Sequence, residues 1–177
     1  MSGAGRLRAV VGVSGSPGSL AALHRAVREA RRTGAEVLAV LAWEPPGGEL
    51  AHRRSPLALP LADLRRDAGA RLLTALDAAF GDPGPGVPFQ GLVVRGTAGR
   101  ALVETADRSD DLLVIGAGPR GALRGLFPSV TRYCVAHAGC PVLTVPPSPL
   151  EGELAALHRR IALRRAVDVR ELTDGGR

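Results

Sequence analysis

The stretch LRAVVGVSGSPGSLAALHRAV, Leu7 to Val27, decides the fold. Its opening, Leu7 to Val13, is a short apolar run bounded by Gly and Ser, as in a strand buried on both faces. Ser16 and Pro17 then start a helix: the serine hydroxyl can accept from a first-turn amide, and a proline there removes no hydrogen bond. Leu20, Leu23, Ala26, Val27 and Ala30 recur at helical spacing with most arginines between them, and Gly34 ends the helix after about Thr33. A buried strand running directly into an amphipathic helix is the first half of a strand–helix–strand unit.

The unit repeats along the chain. Val37 to Trp43 reads as a second strand. Glu44 to Pro60 is a Pro-rich insertion expected to be irregular, after which Leu61, Leu64, Ala68, Leu72, Leu73, Leu76 and Phe80 mark a second helix. GDPGPGVP breaks that helix. Gly91 to Arg95 gives a third strand, Thr97 to Ala106 a third helix and Asp111 to Ile115 a fourth strand. Ser129 to Ala138 is a fourth helix stopped by Gly139, and Pro141 to Val145 a fifth strand.

Alternating strands and helices predict a doubly wound α/β fold, a five-stranded parallel sheet with helices on both faces, because each crossover helix buries its stripe on the sheet. In the order 3-2-1-4-5 the strand order reverses between the first and fourth strands, and ligands of such sheets sit outside the carboxyl ends there. That order brings Ser14 to Ser19 (SGSPGS) beside the loop that opens VIGAGPRGALRGLFPSV, Val114 to Val130. Beyond Pro147, Leu150, Leu154, Leu157 and Ile161 form an apolar stripe among His158, Arg159, Arg160, Arg164 and Arg165, which predicts an amphipathic helix in a tail. The expected organisation is an α/β domain over residues 6–146 and a tail over 147–177.

Composition narrows the function classes. All 23 basic residues are arginine and lysine is absent, so a Walker-type phosphate loop, which needs a lysine, is excluded. The net charge of +6 permits acidic partners, but the arginines are scattered and aromatics make up only 3% of the chain, so nucleic-acid binding by base stacking is not expected. No window approaches the roughly 18 apolar residues of a membrane span, and the opening MSGAGRLRAVV lacks a signal-peptide pattern, so a cytoplasmic location without membrane association is expected. Cys134 and Cys140 have neither zinc-site nor CxxC spacing and read as packing residues. The histidines show no metal spacing: His24 and His158 sit among helical polar residues, His52 in the insertion, and His137 at the negative end of a helix dipole. Asp110 and Asp111 read as solvated residues entering the fourth strand, and no catalytic constellation is visible. SGSPGS departs from the SGGxDS loop of ATP pyrophosphatases at its second glycine and its acid, and GAGPRG follows the wrong strand for a dinucleotide site.

Over residues 6–146 the chain resembles the universal stress proteins. VVGVSGSPGSLAAL is similar to their opening strand and helix, and LLVIGAGPRG with SVTRYCVAHAGCPVLTVP to their fourth strand, loop, fourth helix and closing strand. The resemblance implies a stress-response or regulatory role without enzymatic activity. It also implies a nucleotide site built from Val13, Ser14, Gly15, Gly116, Gly118, Ser129, Val130 and Thr131, and a homodimer paired through the fifth strand, Pro141 to Val145. In nucleotide-binding members an Asp closes the first strand, and the later loop runs Gly, two residues, Gly, nine residues, Gly, then Ser or Thr. Here Ser14 replaces the Asp, one residue separates Gly116 from Gly118, and Pro128 stands in the third glycine's place before Ser129. Pro128 cannot donate, and losing one charge-assisted bond of about 1.5–3 kcal/mol weakens binding roughly ten- to a hundredfold. The departures predict ATP binding that is weak or absent, with Arg120, Arg124 and Arg132 as the available compensating cations. Two other readings stay open: an ATP-binding, weakly hydrolysing member that uses the same crevice, and a protein-interaction module without a ligand.

Overall fold

The computed structural model describes residues 6–117 and 129–146. The chain divides into two units at Pro146/Pro147, and the elements below belong to the first. They are β1 (Arg8–Gly12), α1 (Pro17–Thr33), β2 (Glu36–Trp43), α2 (Gly48–Arg54), α3 (Leu61–Phe80), β3 (Phe89–Arg95), α4 (Ala98–Thr105), β4 (Leu112–Gly116), α5 (Val130–His137) and β5 (Val142–Val145). The tail stripe from Leu150 to Ile161, Gly118, Pro128, Arg120 and Arg124 lie outside the described residues.

The five strands form one parallel sheet in the order β3-β2-β1-β4-β5. Successive side chains point to opposite faces of a strand, and both faces of the central strands are apolar. On one face Ala9, Val11, Val37, Ala39 and Val114 pack with Leu23, Ala26 and Val27 of α1 and Leu72 of α3. On the other, Val10, Leu38, Val40, Leu113 and Ile115 pack with Leu102 of α4 and Cys134 of α5. A fully buried leucine such as Leu23 contributes roughly 2–3 kcal/mol relative to exposure.

The helix ends follow their local chemistry. The Ser16 hydroxyl accepts from the Ser19 amide at the start of α1, Pro17 stands first, and Gly34 closes the helix in the left-handed region at φ +72°. The end of α5 differs from expectation. Extended Ala138 caps it and donates to the Cys134 carbonyl, so Gly139 lies one residue beyond the cap.

Two expectations need correction. The insertion is not wholly irregular, because Gly48–Arg54 forms α2 with Glu49 in its first turn and His52, Arg53 and Arg54 in its last. Charges placed to complement the dipole support this short helix, and it lacks the apolar stripe by which helices are read from sequence. Asp111 is not solvated: it is 1% exposed, and Arg8 holds it from β1 through Nε–Oδ1 at 2.9 Å and Nη2–Oδ2 at 2.6 Å. Burying a carboxylate is costly unless it is paired and hydrogen-bonded, and Arg8 with the Arg108 amide at 3.1 Å meets that demand. Asp110 remains exposed.

Candidate functional site

Strand order reverses between β1 and β4, and the residues that follow these two strands meet at the carboxyl end of the sheet. Val13 extends β1 by one residue, its amide donating to the Val40 carbonyl at 2.8 Å. Its side chain is buried in the α1/α3 core, so only its backbone can face a ligand. Gly15 turns the chain at φ +75°, with open space where a side chain would stand.

Around that turn three serines bond to one another. The Ser14 and Ser16 hydroxyls lie 2.9 Å apart. The Ser14 amide donates to the Ser19 hydroxyl at 3.2 Å, and that hydroxyl donates to the Ser16 carbonyl at 2.9 Å. The turn that would present amides and hydroxyls to an anion is thus tied into itself. Ser19, buried under the turn, is the residue that sequence reading passes over as a site member. The one available signal is the recurrence of serine at 14, 16 and 19 around Pro17.

From β4, Gly116 meets the start of α1 directly. A Cβ on Gly116 would stand 2.6 Å from the Gly18 carbonyl oxygen and 2.7 Å from its carbon, with the Ser19 nitrogen at 3.2 Å. Glycine here is what lets helix and strand backbones touch, a demand independent of any ligand. Ala117 continues the sheet by donating to the Val145 carbonyl at 2.7 Å. From α5, Thr131 donates to the Gly116 carbonyl at 3.3 Å, and Ser129 caps the helix by accepting from the Arg132 amide at 3.3 Å. Val130 is exposed beside them. The fold therefore brings Val13, Ser14, Gly15, Gly116, Ser129, Val130 and Thr131 to one end of the sheet, while Gly118 lies outside the described residues.

The titratable chemistry lies elsewhere. Residues 13–19 and 116–117 contain no carboxylate, histidine or cysteine. Among the described residues, no three His, Cys, Asp or Glu side chains gather as metal ligands would. The Cys134 thiol is packed between α5 and α4, and burial pushes its pKa up to about 11. Burial likewise raises the half-buried Cys140. His137 stacks on Tyr133 with ring centroids 4.2 Å apart, and His24 meets the edge of Phe80 at 5.3 Å. No described helix is long and apolar enough to cross a membrane.

A five-stranded parallel sheet in this order, with a tight turn after β1 and a helix N-terminus opposite it, defines the doubly wound α/β class with a crevice at its switch point. The chain belongs to the universal stress protein family, whose model matches residues 6–146. It is 33% identical over 135 residues to a universal stress protein of Mycobacterium tuberculosis strain H37Rv, a match covering 73% of this chain and 41% of that one. It is 30% identical over 143 residues to one of Mycolicibacterium smegmatis, covering 80% and 46%. The matched region thus spans less than half the length of these relatives. Among solved structures, a universal stress protein in complex with cAMP superposes with a TM-score of 0.62 at 29% identity, covering 80% of this chain and 98% of that one. A UspA protein of Lactobacillus plantarum superposes at 0.56 and 24% identity, covering 81% and 99%, a likeness of fold.

Proposed function

We propose that this protein is a non-enzymatic stress-response or regulatory member of the family whose crevice holds ATP weakly or not at all. The observation that carries the reading is Ser14. At the end of β1 it offers a neutral hydroxyl already paired with Ser16 at 2.9 Å, and an amide already donated to Ser19. A ligand would have to break these bonds before gaining its own. The absence of any acid or base in residues 13–19 and 116–117 supports a role without catalysis. The proposed organisation is a domain over 6–146 followed by a tail over 147–177.

A second reading is favoured by the 29% identical relative whose structure holds cAMP: this chain binds an adenine nucleotide in the same crevice. Isothermal titration with ATP, ADP, AMP and cAMP, each with and without magnesium, separates the two. Weak or absent binding of all four supports the first. A low-micromolar Kd, about −8 kcal/mol of binding free energy, for any of them establishes the second.

A homodimer paired through β5 is part of the proposal. Among the described residues the strand is one edge of the sheet, its valines and leucine are only half-buried, and an apolar sheet edge invites another strand. Sedimentation at micromolar concentration checks it, and a monomer throughout would rule it out.

A further inference from the structure

The segment from Pro46 to Pro60 stands at the carboxyl end of β2 and β3, the same sheet end as Ser14, and not one of its residues is buried. It contains α2, seven residues long with no side-chain cap, far below the length at which a helix holds itself together in water. Its amino end is well anchored, since Pro45 is fully buried. One residue beyond that anchor, after exposed Pro46, come Gly47 and Gly48, both left-handed at φ +76° and +81°. Two consecutive glycines in that region are joints that few other residues could form.

Beyond these glycines, one hydrogen-bonded side-chain pair among the described residues ties the segment to the sheet. Glu49 of α2 takes the Arg95 guanidinium in a two-pronged pair, Nε–Oε1 at 2.7 Å and Nη2 against Oε2. Arg95 ends β3, pairs in register with Trp43 at the end of β2, and stands 5.9 Å from the centroid of the Trp43 ring. Among the described residues no other hydrogen bond joins 46–60 to a strand. The pair is exposed on both sides, and such pairs shift an equilibrium by at most about fivefold. Leu50, Leu57 and Leu59 are exposed, Leu57 at 90%, and no residue of the segment joins either side of the core, so little apolar burial adds to it.

We propose that residues 47–59 are a hinged flap that opens without unfolding the domain, jointed at Gly47–Gly48, latched to the sheet by Glu49 on Arg95 and tethered at Pro60, whose carbonyl accepts from the first α3 amides. Opening frees from Glu49 the Arg95 guanidinium that stands by the Trp43 ring, at the crevice end of the sheet. The inference concerns the chain's own motion and stands whether or not the crevice binds a nucleotide.

Hydrogen exchange and Trp43 fluorescence test it on the full chain, in which Trp43 is the single tryptophan. In the wild type, amides of 48–54 should exchange far faster than those of β1, β2 and β4. Raising sodium chloride from about 50 mM to about 1 M, which screens exposed pairs, should speed them roughly two- to fivefold and shift the Trp43 emission as Arg95, freed from Glu49, moves at the ring. Glu49→Gln and Arg95→Gln should each reproduce that acceleration at low salt and lose the salt response, with strand exchange unchanged. Exchange of 48–54 that tracks the strands in the wild type would overturn the proposal. So would insensitivity of both readouts to salt and to both substitutions, or a substitution that unfolds the whole domain.

Discussion

Arg8 and Asp111, 103 residues apart in sequence, meet through two nitrogen–oxygen contacts of 2.9 and 2.6 Å where β1 and β4 begin. The same guanidinium reaches Asp107 at 2.5 Å, and its pKa is raised chiefly by its hydrogen bond to Asp111. The two central strands are thus clamped at the end of the sheet opposite the crevice. Removing one partner of a buried pair leaves the other charge unpaired, at a cost of about 3–5 kcal/mol. Arg8→Met is expected to lower unfolding free energy toward the low end of that range, since the Arg8 side chain keeps 13% exposure. Urea denaturation measures it, and a loss below about 1 kcal/mol would mean that the pair is an ordinary surface contact.

Acid should weaken the fold through its paired carboxylates. Hydrogen bonds hold Asp107 low beside Arg8, Glu29 beside Arg32 and Glu49 beside Arg95. A carboxylate whose folded pKa is depressed adds stability that is full above its unfolded value, about 4, and is lost as pH falls through the folded value. Urea midpoints are expected to be flat near neutrality and to fall below about pH 4.5. A midpoint that rises on acidification would contradict this.

Gly116→Ala should destabilise the protein by roughly 1–3 kcal/mol, because the new methyl meets the Gly18 backbone rather than a movable side chain. The contrasting change is Gly69→Ala in the middle of α3, where nothing lies within 4 Å of the added methyl. It should stabilise by up to about 1 kcal/mol through helix propensity alone. Melting temperatures of the two variants should move in opposite directions. Equal shifts would show that the strand–helix contact at Gly116 can relax.

Ser19→Ala removes the acceptor of the Ser14 amide and the donor to the Ser16 carbonyl. The expected cost is about 1–3 kcal/mol, since the substitution leaves a part-buried amide without its partner. Ser16→Ala, which removes the α1 cap, should cost about 1 kcal/mol. Ser19 and Ser16 act on one turn, so the double variant should lose less than the sum of the two. Strict additivity in thermal unfolding would count against a coupled serine turn.

The strand and helix periods were legible in residues such as Val10, Leu23, Leu72 and Leu113, because burial on a sheet face or a helix stripe writes itself into local spacing. That the strands are parallel followed from the same periods, since strands alternating with helices need crossovers; the order β3-β2-β1-β4-β5 was one of the few open to them and is the one the structure has. The gathering of Ser14, Gly116 and Thr131 was also legible, as a consequence of that order and of the family motif. What local spacing could not carry were partnerships between distant residues. Asp111 looks solvated until β1 delivers Arg8, and Ser19 looks like one more polar helical residue until the turn folds back over it. The close approach of Gly116 to the Gly18 backbone shows only once α1 is laid against β4, and α2, which has no apolar stripe, meets Arg95 from β3, distant along the chain. The local sequence determined the elements and their class through short-range sterics and burial. Only the tertiary structure decided which charges, amides and backbones meet, because those energies depend on distances that no spacing along the chain encodes.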